Sequence, residues 1–250
     1  MAQLAPRGPL QPLDLRAAAG ETLAVLQGAF GLLIETALLP CLFSFFVTIG
    51  VTLVGWLSPL GFLLQVTAMV AQVAFAVAWH RVVLLGPSEG GAFNLRLGPR
   101  ELRYLAYCVA ISLAAALLAT PVSLILWAAL GLGEISRGFF FVLFAIVTAI
   151  LSVLSLVLPA VALELPGFGL REAWAAARGI LLPLVGLCLL VLAPAWVALQ
   201  LLLLLVVWVQ SWFALTVPGL LLLVVGNYLL LALGVTVISV AFRQRTGWTA

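Results

Sequence analysis

The chain has 250 residues, of which 66% are apolar and 8% charged, with a net charge of +3. A soluble domain is about 25% charged and about 45–50% apolar, so an aqueous globule is excluded. A disordered chain, a coiled coil and a collagen-like chain fail on the same composition. The sequence is that of an integral membrane protein. Every one of its eleven cationic residues is Arg.

Charge spacing sets out the spans. A hydrocarbon core about 30 Å thick takes roughly 20 apolar residues in a helix. The runs Thr36–Trp79, Tyr104–Gly133, Gly138–Leu163 and Gly179–Phe242 contain no Asp, Glu or Arg. The first and last are long enough for two spans each, and the middle two for one apiece. Lipid also admits closed β-barrels, but barrel strands alternate apolar and polar residues. The run Leu201–Val207 does not alternate. The expected fold is therefore all-α: a polytopic transmembrane helix bundle of six spans, forming a single integral membrane domain. The spans are placed at 37–58, 60–82, 104–129, 138–162, 180–204 and 217–241.

Taken in order, the N-terminal segment holds Pro6, Pro9, Pro12, Arg7 and Arg16, so no cleavable signal peptide is expected. A helix-prone stretch follows Leu15-Arg16, in which Leu23, Leu26 and Phe30 share a face. Comparable stretches follow Leu95-Arg96 and Leu170-Arg171, the last with Leu170, Trp174 and Ala177 on one face. Each suits a helix lying in the membrane interface. The chain thus reads as three hairpins, each introduced by an interfacial helix.

Glu35 is the one carboxylate in an apolar context. A charge at a helix centre costs about 2.5–3.5 kcal/mol on insertion scales. Glu35 either lies one turn inside the membrane, paired with an Arg or protonatable, or caps the first span among the headgroups. Ser44, Thr48 and Thr52 follow helical spacing in span one, as do Gln65 and Gln72 in span two and Thr148, Ser152 and Ser155 in span four. Asn227 is the most polar residue of span six. Ser44, Thr48, Gln72, Ser152 and Asn227 are candidates to line a shared cavity. The alternative is ordinary helix packing, where such contacts average about 0.6 kcal/mol. Pro59 marks a turn between spans one and two. Trp79 and His80-Arg81 close span two, where indole and cationic groups suit the headgroup level. His80, the sole histidine, is either such an anchor or a pH-responsive group.

The Arg residues divide unevenly. Arg7, Arg16, Arg81, Arg96, Arg100, Arg103, Arg171, Arg178, Arg243 and Arg245 fall on one side of a six-span chain, and Arg137 alone on the other. The positive-inside rule puts both termini in the cytoplasm. The three cysteines fall singly in spans, without metal-ligand spacing, so no metal or other cofactor is expected. Nothing points to nucleic acid. Hydrolase elbows, aspartyl dyads and Lys-bearing phosphate loops are missing, so no catalysis is expected.

The stretch Ala78-Trp79-His80-Arg81-Val82-Val83-Leu84-Leu85-Gly86 resembles a motif of uncharacterised bacterial multi-pass inner-membrane proteins. So do Leu158-Pro159-Ala160-Val161-Ala162-Leu163 and Leu170-Arg171-Glu172-Ala173-Trp174 with Arg178-Gly179. The pattern is also similar to the membrane domain of glycerophosphodiester phosphodiesterases, here expected without the catalytic domain. The resemblance implies six spans and marks His80, Arg81, Trp174 and Arg178 as motif positions on the cytoplasmic side. The Lys-free, Arg- and Ala-rich usage points to a GC-rich bacterial genome.

The expectation is a bacterial inner-membrane protein acting as a structural or accessory module. Its Arg-bearing face would meet anionic lipid headgroups or partner subunits. The alternative is a small transporter or lipid-handling protein.

Overall fold

A computed structural model describes residues 11–87, 98–130, 153–213 and 216–248. These segments are helical throughout, without a strand among the described residues. The helices are α1 (Leu15–Gly28), α2 (Phe30–Val54), α3 (Pro59–Leu85), α4 (Pro99–Leu130), α5 (Val157–Ala162), α6 (Leu170–Ala177), α7 (Leu181–Phe213) and α8 (Thr216–Thr246). Among the described residues, α2, α3, α7 and α8 are long and apolar enough to cross a membrane. They match the expected first, second, fifth and sixth spans. The third span lies within α4. Of the fourth, only residues from Val153 onward are described, and there the helix breaks at Ser155-Leu156 before α5.

Local sequence explains the first hairpin. Ser58 accepts from the Gly61 amide at 2.9 Å and caps α3, while Pro59 occupies the first helical position, where a missing N–H costs nothing. Gly61 sits so close to the turn that a Cβ there would meet the Gly55 carbonyl oxygen at 2.1 Å. A side chain at that position would push the turn off the helix.

Helix directions follow from specific contacts. Phe75 packs edge-on against Tyr228, Trp79 bonds Thr236 and His80 bonds Ser239. Both numbers rise together, so α3 and α8 run parallel. By contrast Gly226 faces Leu199 and Gly234 faces Leu192, so α7 and α8 are antiparallel. The start of α4 lies beside the end of α3, through Tyr104 and His80. By Ala162 the chain is back at that same end, where its carbonyl meets Arg81. Parallel α3 and α8 require an odd number of crossings between them, three in the six-span expectation; residues 131–152, which would hold the return from α4, lie outside the described residues. The described chain begins and ends at one end of the bundle, where the Gln11 amide bonds the Arg245 carbonyl at 3.2 Å.

That end holds the densest core. α8 packs against α1, α2, α3 and α7, and near its C-terminus Val237, Val240, Ala241 and Phe242 are all buried. Trp79, at 0% exposure, belongs to this core. It is enclosed by the bundle and is not presented on its surface as an interfacial anchor would be. The indole faces α8 because residues 75 and 79 share the α3 face that meets Tyr228 and Thr236.

Two of the three expected short helices are present: α1 precedes the α2–α3 hairpin and α6 precedes the α7–α8 hairpin, while Leu95 and Arg96 lie outside the described residues. α1 lies across the end of α8: Gln11 and Glu21 both bond residues 243–245. Its buried positions are Ala18 and Thr22, while Leu23 and, at the start of α2, Phe30 are exposed on the outside of the bundle. Asp14 caps α1, and Glu101 and Glu172 reach back to the amides of Gly98 and Gly169. Arg16, Arg100 and Arg171 each stand two residues after the capping position, whereas Arg96 lies outside the described residues.

Candidate functional site

The charged end of the bundle is built around two buried polar arrangements. In the first, α3, α4 and α8 meet at His80, which is 1% exposed. Its Nδ1 lies 2.7 Å from Ser239 Oγ and its Nε2 lies 3.1 Å from the Tyr104 hydroxyl. Ser239 spends its single hydrogen on the Val235 carbonyl, 2.8 Å away. Its Oγ therefore accepts from His80, which places the imidazole proton on Nδ1 and leaves Nε2 to accept from Tyr104. The result is a directional chain, Tyr104 to His80 to Ser239 to the Val235 carbonyl, in which the imidazole is neutral and fully satisfied. One turn away the Trp79 indole donates to Thr236 at 2.9 Å, and Thr236 in turn donates to the Ala232 carbonyl.

The second arrangement is centred on Arg245. Its guanidinium donates through Nε to the Ala176 carbonyl at 2.7 Å, through Nη2 to the Arg178 carbonyl at 2.8 Å and through Nη1 to the Gln11 carbonyl at 2.6 Å. Ala176 and Arg178 lie at the C-terminus of α6, where carbonyls lack intrahelical partners and the helix dipole favours a cation. One side chain thus ties the N-terminal segment, α6 and α8 together. Nearby, Arg243 pairs with Glu21, which also accepts from Gln244 at 2.8 Å.

Held this way, α6 buries Ala173, Ala176 and Ala177 and turns Leu170 and Trp174 outward. Arg171, Trp174 and Arg178 are exposed together on this short helix and its cap. The amides of Gly169 and of Glu172 itself hold the Glu172 carboxyl below its ordinary range. At the start of α4, burial raises Glu101, but the Arg100 hydrogen bond, the amides of Glu101 and Gly98 and the Arg100 charge outweigh it. Its carboxyl is held below the ordinary 4.5.

The remaining candidates do not converge. Glu35 lies in the second turn of α2, off the buried stripe Leu33, Thr36, Pro40, Ser44, Val47, Val51. It is exposed beside Ile34, away from the His80 cluster. Ser44 donates to the Tyr228 hydroxyl, which donates onward to the Pro40 carbonyl at 3.0 Å. Thr48 bonds back to the Ser44 carbonyl. Gln72 and Asn227 are exposed on the outer surface of the bundle, and Ser152 lies outside the described residues. The four described members of the expected cavity thus fall into packing contacts or onto the surface. Arg81 bonds the Ala162 carbonyl at 3.4 Å and closes α5 onto α3. No group of three or more His, Cys, Asp or Glu capable of holding a metal ion occurs among the described residues.

Sequence reasoning missed Tyr104, Thr236, Ser239 and the structural use of Arg245. Thr236 and Ser239 stand three apart near the end of a span, a spacing that puts two hydroxyls on one helix face. Arg245 carried no such signal and read only as one more positive charge.

Fold and composition together define an α-helical integral membrane protein. Comparison with family models, curated proteins and solved structures finds no match.

Proposed function

We propose that this protein is a non-catalytic structural or accessory module of a bacterial inner membrane. In this reading the Arg-bearing end of the bundle faces the cytoplasm and contacts anionic lipid headgroups. The observation that carries it is the exposed group Arg171, Trp174 and Arg178 on α6. Its backbone is fixed by Arg245, so an amphipathic indole and two cations are presented on a rigid support. Indoles favour the headgroup level, and each Arg near an anionic surface contributes about 1 kcal/mol. Arg178 has no ion pair among the described residues, which leaves its charge available to a phosphate. The resemblance to the membrane domain of glycerophosphodiester phosphodiesterases fits a module without chemistry of its own. Transport draws less support, because the described polar residues that would line a passage, Ser44, Thr48, Gln72 and Asn227, do not meet.

The test is lipid retention by the full chain in mixed nanodiscs, read by native mass spectrometry. Anionic phospholipid should be retained in preference to zwitterionic lipid, and Arg171→Gln with Arg178→Gln should abolish the preference. Equal retention of both lipids by the unaltered protein would overturn the proposal.

A further inference from the structure

An apolar groove runs along the bundle below α1, walled by Phe30 and Leu33 of α2, Ala195 and Ala198 of α7, and Gly226 and Leu229 of α8, with Leu26 of α1 at its edge. Three local features open it. Pro194 interrupts the hydrogen bonding of α7 just before Ala195. The small residues Ala195 and Ala198 leave space where other positions carry Leu, while the room beside Gly226 is taken by Leu199. The break between α1 and α2 at Ala29 sets Leu26 and Phe30 on either side of a change in helix direction.

We propose that this groove is a binding site for one acyl chain of a membrane lipid. On α8 its walls extend from Leu222 to Leu233, about 16 Å of helix, so a volume of about 420 Å³ corresponds to a mean section of about 26 Å². A helix with side chains is about 10–12 Å across, so a helix from a second copy would lie over the groove rather than within it. The lining residues are all apolar, and an apolar cavity stays dry. A hydrocarbon chain meets both constraints. The groove is also continuous with the surface that meets lipid: Leu202, Val225 and Leu229 on its walls are exposed, as are Leu201, Leu205 and Leu221 beside them. The site lies in the apolar body of the bundle and does not depend on the charged α6 surface.

The experiment uses the full chain in nanodiscs made with a phospholipid carrying a photoactivatable diazirine midway along one acyl chain. Labelling should concentrate on the peptides holding Leu199 and Leu229. It should fall several-fold in Ala198→Phe, which fills the groove, and not in Val197→Phe, which adds the same bulk next to it. Ala195→Leu serves as a second filling variant should Ala198→Phe not fold, as judged by its thermal unfolding. Labelling equally strong at Leu53 and Leu60 would overturn the site. So would an unlabelled groove whose filling converts a dimer to a monomer. Arg171→Gln with Arg178→Gln should leave the groove labelling intact, which separates failure here from failure of the headgroup reading.

Discussion

His80 and Ser239 are joined by a 2.7 Å hydrogen bond across 159 residues of chain, and that bond determines how α3 and α8 are aligned. Between lipid-exposed helices there is no hydrophobic driving force of the kind that operates in water, so register rests on packing and on interhelical hydrogen bonds. In this core each polar group has a single partner geometry. A slip of α8 by one residue would leave His80 Nδ1 and the Trp79 indole unsatisfied together.

Tyr104→Phe removes the donor to His80 Nε2 and adds no bulk. The expected cost is about 1 kcal/mol, between the membrane average of about 0.6 and the penalty for a buried orphan acceptor, about 1–3. His80→Ala should cost more, since it orphans Tyr104 and also opens a cavity. Thermal unfolding in detergent of the two single variants and of the double would measure this. Additive losses in that cycle would show that the two residues do not share a bond.

Arg245→Ala leaves the carbonyls of Ala176, Arg178 and Gln11 without a donor, at a cost of about 3 kcal/mol. Arg245→Lys should recover only part of it, because a single ammonium does not reproduce the planar fork that reaches three acceptors. Hydrogen exchange is the sharper readout. Amides of Ala173, Ala176 and Ala177 should exchange faster in Arg245→Ala than in the unaltered protein, while those of Val237 and Val240 should change little.

Glu101 links stability to acid. Its folded pKa lies below the ordinary 4.5, so its contribution is fully present above that value and is lost as pH falls through the folded pKa. Melting temperature should therefore drop on acidification below about pH 4.5. Glu101→Gln should be less stable at neutral pH and show a shallower acid decline. An unchanged slope in that variant would assign the acid sensitivity elsewhere.

Topology is open to a direct check. Reporter fusions at the C-terminus and after Arg137 should report opposite sides of the membrane, with the C-terminus cytoplasmic. The same side at both positions would contradict the six-span topology.

Much of the architecture could be read from particular residues. The charge-free runs from Thr36 to Trp79 and from Gly179 to Phe242 each hold a two-span hairpin, and Pro59 marks the first turn. The site was less legible. Glu35 and His80 drew notice as rare residue types, yet rarity says nothing about which way a helix faces. Glu35 turned outward and His80 inward because the buried stripes of α2 and α3 are defined by their neighbours. Gln72 and Asn227 were read as lining an interior for the same reason, and lie on the surface.

Composition and charge spacing alone determined that this is a helical membrane protein, where its first, second, fifth and sixth spans fall and that its described Arg residues collect at one end. Those properties follow from the bilayer acting as a solvent with fixed thickness, which any linear pattern of charge must respect. Only the tertiary structure decided that Arg245 is a buried clamp and that Tyr104, His80 and Ser239 form one directed chain. These depend on rotation about each helix axis and on pairings between distant segments. In a sequence almost uniformly apolar, the pattern within one helix does not specify either.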